Sequence, residues 1–130
     1  MPDSFGCRRC YGDDPRAAWA YYEEGLAVER ELVGDSHFLV QLRRCSDCGQ
    51  QFVWIFGEAV DWKGGDDAQR REIVPVSATE AEAASRLDYP SLAALGVDRR
   101  YLETDWPTDA ADPSVEWSTG ELRLPRSRLR

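Results

Sequence analysis

Cys45-Ser-Asp-Cys48-Gly-Gln-Gln-Phe52-Val-Trp-Ile-Phe56 joins a pair of cysteines, two residues apart, to a run with an aromatic or β-branched residue at nearly every position. Such a run favours a β-strand, and its density of large apolar side chains suits one covered on both faces. A second pair, Cys7-Arg-Arg-Cys10, lies thirty-four residues upstream, and the two pairs use every cysteine in the chain. Two C-x2-C turns supply the four soft ligands of a tetrahedral zinc site. In each turn, backbone N–H groups can face the sulfurs and offset their charge. Gly49 is read as relieving crowding where the backbone folds round the metal. Tyr11 precedes Gly12 and departs from the ideal first turn.

The insert exceeds the roughly 15–20 residues of the commonest double C-x2-C pattern, and a helix plus a hairpin would fill it. The expected arrangement is a zinc ribbon, with two knuckles at the ends of hairpins and a strand leaving the second. Cys7, Cys10, Cys45 and Cys48 would then hold one structural Zn2+, a closed site with no open coordination position. Such a site contributes on the order of 10 kcal/mol or more to folding. Disulfides, a rubredoxin-like iron site and a C-x-x-C redox centre are the alternatives. The redox centre calls for a helix after its first cysteine, whereas strand-like residues follow Cys48.

With 130 residues, 42% hydrophobic and 11% aromatic, the composition is globular and the length that of one domain. No apolar run approaches the ~20 residues that cross a membrane, and the N-terminus carries no signal pattern. The expected location is the cytoplasm, which disfavours stable disulfides. The net charge of -8 argues against binding a phosphate backbone and permits a basic protein partner or mere solubility.

The chain reads as α+β: a zinc ribbon extended by a small antiparallel sheet, with two or three short helices. Asp14 and Pro15 open a helix over 14–24. Leu26, Val28 and Leu32 alternate as in a strand, Gly34-Asp35-Ser36 is turn chemistry, and 37–44 forms the return strand; a helix continuing through residue 33 is the alternative. After the Gln51–Phe56 strand and a break at 63–67, Ile73-Val-Pro-Val-Ser77 reads as a strand that Pro75 confines to an edge. Thr79 and Glu82 make a capping box for a second helix, and Pro90–Gly96 forms a further helical turn. Residues 1–106 are taken as the α+β domain. Residues 107–130 are taken as an acidic, then arginine-rich extension, with a hairpin over Val115–Leu124.

The Cys45–Phe56 run, the loop Asp61-Trp62-Lys-Gly-Gly-Asp66-Asp67 and the strand at Ile73 resemble short, uncharacterised bacterial zinc-ribbon proteins. Those share a C-x-x-C-G-Q knuckle and a D-W-x-x-G-x-D loop. The resemblance covers residues 38 to 77 plus the upstream cysteine pair and implies metal binding without an activity. The small size and acidity are similar to those of bacterial immunity proteins, an analogy only.

Asp61, Asp66 and Asp67 offer oxygen donors for a hard cation, but their spacing departs from the calcium-loop pattern; they read first as a solvated hairpin loop, and the alternative, with Trp62, is a contact surface. Trp106 and Trp117 stand in acidic contexts and join them as candidate partner contacts, while Trp54 belongs to the core. His37 is the lone histidine and sits at a turn facing solvent. No nucleophile elbow, phosphate loop or cysteine–histidine pair is present. The expectation is therefore a non-enzymatic, zinc-stabilised protein-binding module, of the immunity or inhibitor kind, with a basic partner. The alternative is a nucleic-acid-binding ribbon of the transcription or translation machinery, using Arg8, Arg9, Arg43, Arg44 and the arginine-rich tail.

Overall fold

The computed structural model describes residues 5–59, 68–106 and 111–123. Two helices open the chain, α1 (Arg8–Tyr11) and α2 (Pro15–Gly25), followed by strands β1 (Leu26–Asp35), β2 (Phe38–Cys45), β3 (Gln51–Ala59) and β4 (Ala68–Val76). Helices α3 (Ala78–Ala84) and α4 (Tyr89–Ala94) separate β4 from β5 (Tyr101–Trp106), and β6 (Ser114–Ser118) closes the order. Among the described residues, the six strands form one antiparallel sheet in sequence order, so the fold is α+β. No helix among the described residues is long and apolar enough to cross a membrane.

Local chemistry accounts for most boundaries. The Asp14 carboxylate accepts from the Arg16 N–H at 3.0 Å, with Pro15 at the first helical position, so α2 starts where the sequence places it. It ends at Gly25, and Leu26 begins a strand, which removes the longer-helix alternative. The β1–β2 turn is pinned by Asp35, whose carboxylate accepts from the His37 N–H at 2.9 Å. The expected alternation of Leu26, Val28 and Leu32 fails, because β1 shifts register between Val28 and Arg30 and again between Glu31 and Val33. Each bulge turns the following side chains over. Leu26 is buried on one face, Leu32 packs on the other, and Val28 is exposed.

The sheet buries both faces. On one, Phe52, Trp54, Ile73 and Leu102 pack beneath α2 with Ala18 and Tyr22. On the other, Val40, Val53, Val74 and Val76 pack with Ala81, Ala84 and Leu92 of α3 and α4, and with Leu122. This explains the β3 run: successive residues of Phe52-Val-Trp-Ile55 go to opposite cores.

Three expectations are corrected. Pro75 lies in β4, an interior strand between β3 and β5. It is tolerated because the β4–β5 ladder ends at Ile73 and Leu102, before Pro75, and the Pro75 carbonyl accepts instead from Arg99 at 3.0 Å. The capping box lies two residues earlier than expected: Ser77 Oγ accepts from the Glu80 N–H, and the Glu80 carboxylate accepts from the Ser77 N–H. Over the expected terminal hairpin, Ser114–Ser118 instead pairs with β5, and the Val115 side chain enters the core.

Arg99 fastens this end of β4. Besides Pro75, its guanidinium donates to both Glu80 oxygens at 2.7 Å, and those bonds raise its basicity while lowering the acid range of Glu80. Arg99→Ala leaves the Pro75 carbonyl without that donor and should lower stability by about 2–4 kcal/mol in urea denaturation; a change within error would remove this role. Glu72 fastens the far side of the sheet, both oxygens accepting from the Arg123 N–H at 2.9 and 3.1 Å. Burial pushes its pKa up to about 7, against the opposing pull of the Arg123 N–H and Arg70. Between 4.5 and about 7 the folded chain thus keeps a proton that the unfolded chain releases, so this group makes stability fall as pH rises through that window. Glu72→Gln should flatten that slope in thermal melts across the same pH range.

Candidate metal centre

The second cysteine pair occupies the β2–β3 turn. The Cys45 N–H donates to the Gln50 carbonyl at 2.8 Å, and the Cys45 carbonyl accepts from the Gly49 N–H at 2.9 Å. Gly49 has φ +83°, and a Cβ there would meet nothing nearer than Arg44 Nη1 at 3.8 Å. The glycine is therefore required by left-handed backbone, and the expected relief of crowding is not its role. The Ser46 N–H and Oγ both donate to the Gly25 carbonyl, tying the turn to the end of α2.

The first pair departs from the ribbon expectation. Cys7 precedes α1 and Cys10 lies within it, so this turn is helical and does not end a hairpin. Its neighbour is α2, which packs on it through the Tyr22 hydroxyl, donating to the Cys10 carbonyl at 2.7 Å. The Cys7 N–H points at Cys10 Sγ, 3.3 Å away. Gly6 enters with φ +70°, and a Cβ there would lie 2.8 Å from Cys10 Sγ.

These two turns bring the sulfurs of Cys7, Cys10, Cys45 and Cys48 within 4.8 Å of one another. Cys7–Cys10, Cys7–Cys45 and Cys10–Cys48 are separated by 3.7, 3.9 and 3.8 Å. A metal–sulfur bond of about 2.3 Å in a tetrahedron gives edges of about 3.8 Å, so the donor set fits a four-coordinate ion. None of the four is in a disulfide, and Cys10 and Cys45 are buried while Cys48 is exposed. Burial raises the Cys10 and Cys48 thiols. Burial also pushes Cys45 up, but the Tyr21 hydroxyl at 3.1 Å and the N–H groups of Asp47 and Cys48 outweigh it and bring Cys45 down to about 7. Cys45 is thus moved toward the thiolate form, in contrast to Cys10 and Cys48.

Around the sulfurs stand residues that sequence reasoning missed. Gln50 accepts from the Gly6 N–H at 2.9 Å and donates to the Val76 and Gln51 carbonyls, joining the N-terminal segment to β3 and β4. Tyr11 donates to the Arg100 carbonyl at 2.7 Å, while the Arg100 guanidinium stacks 4.3 Å from the rings of both Tyr11 and Trp117. The non-ideal Tyr11 is therefore an anchor onto β5 and β6. A helical projection of α2 would have placed Ala18, Tyr22 and Gly25 on one buried stripe, but nothing local links Tyr21 to Cys45.

Among the other sequence-predicted sites, Trp106 is 40% exposed at the end of β5. Trp117 packs edge-on against Tyr11 and donates through Nε1 to the Asp13 carbonyl. Asp61, Trp62, Asp66 and Asp67 lie outside the described residues, as do the last residues of the arginine-rich tail. His37 is partly exposed and meets Glu58 at 2.8 Å. Compared with protein-family models, with curated proteins and with solved structures, the chain matches none.

Because Tyr21 acts through the Cys45 sulfur, Tyr21→Phe should weaken metal binding by about tenfold, measured by competition with a chromophoric chelator. The circular dichroism of the metal-loaded variant should match that of the parent; unchanged affinity would leave Tyr21 a packing residue only.

Proposed function

We propose that the chain is a non-enzymatic protein-binding module, stabilised by one Zn2+ in a ribbon-like clip, with a basic protein as its partner. The observation that supports it is the closed donor set: four cysteine sulfurs within 4.8 Å fill a tetrahedron and leave no position for substrate or water. Zinc is preferred because it is redox-inert and takes four thiolates at the spacing seen. The net charge of -8 supports a basic partner by long-range attraction. The immunity or inhibitor reading follows from the same features, since an acidic surface can occlude a basic site. Exposed Trp106 supplies an aromatic contact of the kind enriched at interfaces. A role in the cytoplasm belongs to this reading, since free thiols persist there.

The nucleic-acid reading draws less support. Arg44 pairs with Glu29 at 2.5 Å, Arg9 lies 3.8 Å from Asp47, and Arg43 lies over the Trp54 ring. Those three arginines are thus engaged within the chain, which leaves less of their charge for a phosphate.

Elemental analysis should return one zinc per chain, and iron or a disulfide in its place would remove the zinc reading. Capture from native lysate at low salt should recover a basic protein that moderate salt releases. Recovery of RNA or DNA instead would overturn the partner class, and turnover of a substrate by the purified protein would overturn the non-enzymatic reading.

A further inference from the structure

Among the described residues, the sheet face beside the four cysteines is covered only in part. Helix α2 lies over the cysteine end, and beyond Trp19 the face opens into a cleft of about 530 Å³. Its lining includes Trp19, Trp54 and Trp106, the guanidiniums of Arg43 and Arg71, and Glu23 at an exposed position. Sheet register assembles it from four strands. Gln41 of β2 lies opposite Trp54 of β3, Phe56 of β3 opposite Arg71 of β4, and Arg71 opposite Thr104 of β5.

The two arginines are the unexplained feature. Each is partly buried on this face. Arg43 stacks 3.6 Å from the centre of the Trp54 ring, and Arg71 lies 4.7 Å from Phe56 and 5.7 Å from Trp19. Arg43 spends one donor on Gln41 at 2.9 Å. Among the described residues, neither makes an ion pair within 4 Å. Glu58 is the carboxylate whose charge acts on Arg71, but its oxygens are engaged by His37 at 2.8 Å and Gln69 at 3.3 Å. Burial lowers the basicity of both guanidiniums, and the charge of Arg71 lowers that of Arg43 further, so the two cations repel. Two half-desolvated cations held near each other are costly without a counter-charge. In a chain with 24 carboxylates against 16 basic side chains, a pair of arginines without an ion-pair partner among the described residues is a specific arrangement.

We propose that the cleft binds a small aromatic oxyanion, a phosphate or carboxylate received by Arg43 and Arg71 and carried on a flat ring that packs against the tryptophan walls. Guanidinium forks match the geometry of phosphate and carboxylate. Tryptophan faces favour flat rings. The volume falls within the usual range for small-molecule sites. A long polyanion is disfavoured by the net charge of -8 and by Glu23 in the lining. This site shares Trp106 with the protein-partner reading, but its arginines carry it separately, so either can fail without the other.

The test is a titration of 15N-labelled, metal-loaded protein, following the indole Nε1 signals of Trp19, Trp54 and Trp106. The probes are AMP and benzoate, which combine ring and oxyanion, with adenosine and inorganic phosphate as the separated halves. AMP or benzoate should shift these signals saturably with Kd below about 1 mM, and whichever binds more tightly identifies phosphate or carboxylate as the anion. Arg71→Gln and Arg43→Gln should each weaken binding about tenfold. Trp106→Ala, at an exposed position that spares the core, should weaken it too, and Arg86→Gln on α3's side of the sheet should leave it unchanged. No saturable shift with either ring-bearing anion overturns the proposal. So does equal affinity for adenosine or for inorganic phosphate, or binding that survives all three cleft substitutions.

Discussion

The convergence of four cysteine sulfurs is the constraint on which the rest is arranged. It joins a helical turn at residues 7–10 to the β2–β3 turn at residues 45–48, two pieces of chain that share no sheet ladder. Helix α2 hangs from both: Tyr22 grips the Cys10 carbonyl, Tyr21 reaches the Cys45 sulfur, and the Gly25 carbonyl takes two bonds from Ser46. The clip therefore sets where α2 crosses the sheet. That crossing decides which half of the face is core and which half stays open beside Trp19. A metal ion bound here would stabilise more than a loop, because the sulfurs that would hold it anchor a layer of the protein.

Arginine carries much of the remaining order. Arg99 takes over the carbonyl of Pro75 where the β5 ladder has ended, and Arg100 donates to the Tyr11 and Gly12 carbonyls while lying against two aromatic rings. The planar, multiply donating guanidinium suits such junctions, where one group must satisfy backbone acceptors and cover a ring at once. Arg43 and Arg71 share the stacking, and Arg43 donates to Gln41, but among the described residues neither makes an ion pair within 4 Å. The same side chain is a strut at one end of the molecule and an open receptor at the other.

Several local features were legible because they are encoded within a few residues. The C-x2-C pairs named the four sulfurs that cluster, Asp14-Pro15 marked the start of α2, and the β1–β2 hairpin followed from Asp35 and the apolar runs beside it. Errors arose where a local signal competed with a longer-range partner. Thr79–Glu82 matched the capping pattern as well as Ser77–Glu80 did, and the end of β4 decided between them. Pro75 looked like an edge residue because its substitute donor, Arg99, lies twenty-four residues away. The bulges of β1 defeated a simple alternation, since a bulge is a property of two paired strands and leaves little trace in one.

The residues alone determine that four thiols can close round a metal, that the Gln51–Phe56 run must be a doubly covered strand, and that the chain is acidic. Those properties depend on spacing, side-chain type and charge, which the order of residues contains in full. Tertiary structure decided the six-strand order, the helical form of the first cysteine turn and the place of Tyr21 beside Cys45. It also decided that Arg43, Trp54, Arg71 and Trp106 meet at one open cleft. Each of these requires register between strands distant in the chain, and register is set by the collective burial of both sheet faces, which no single segment specifies.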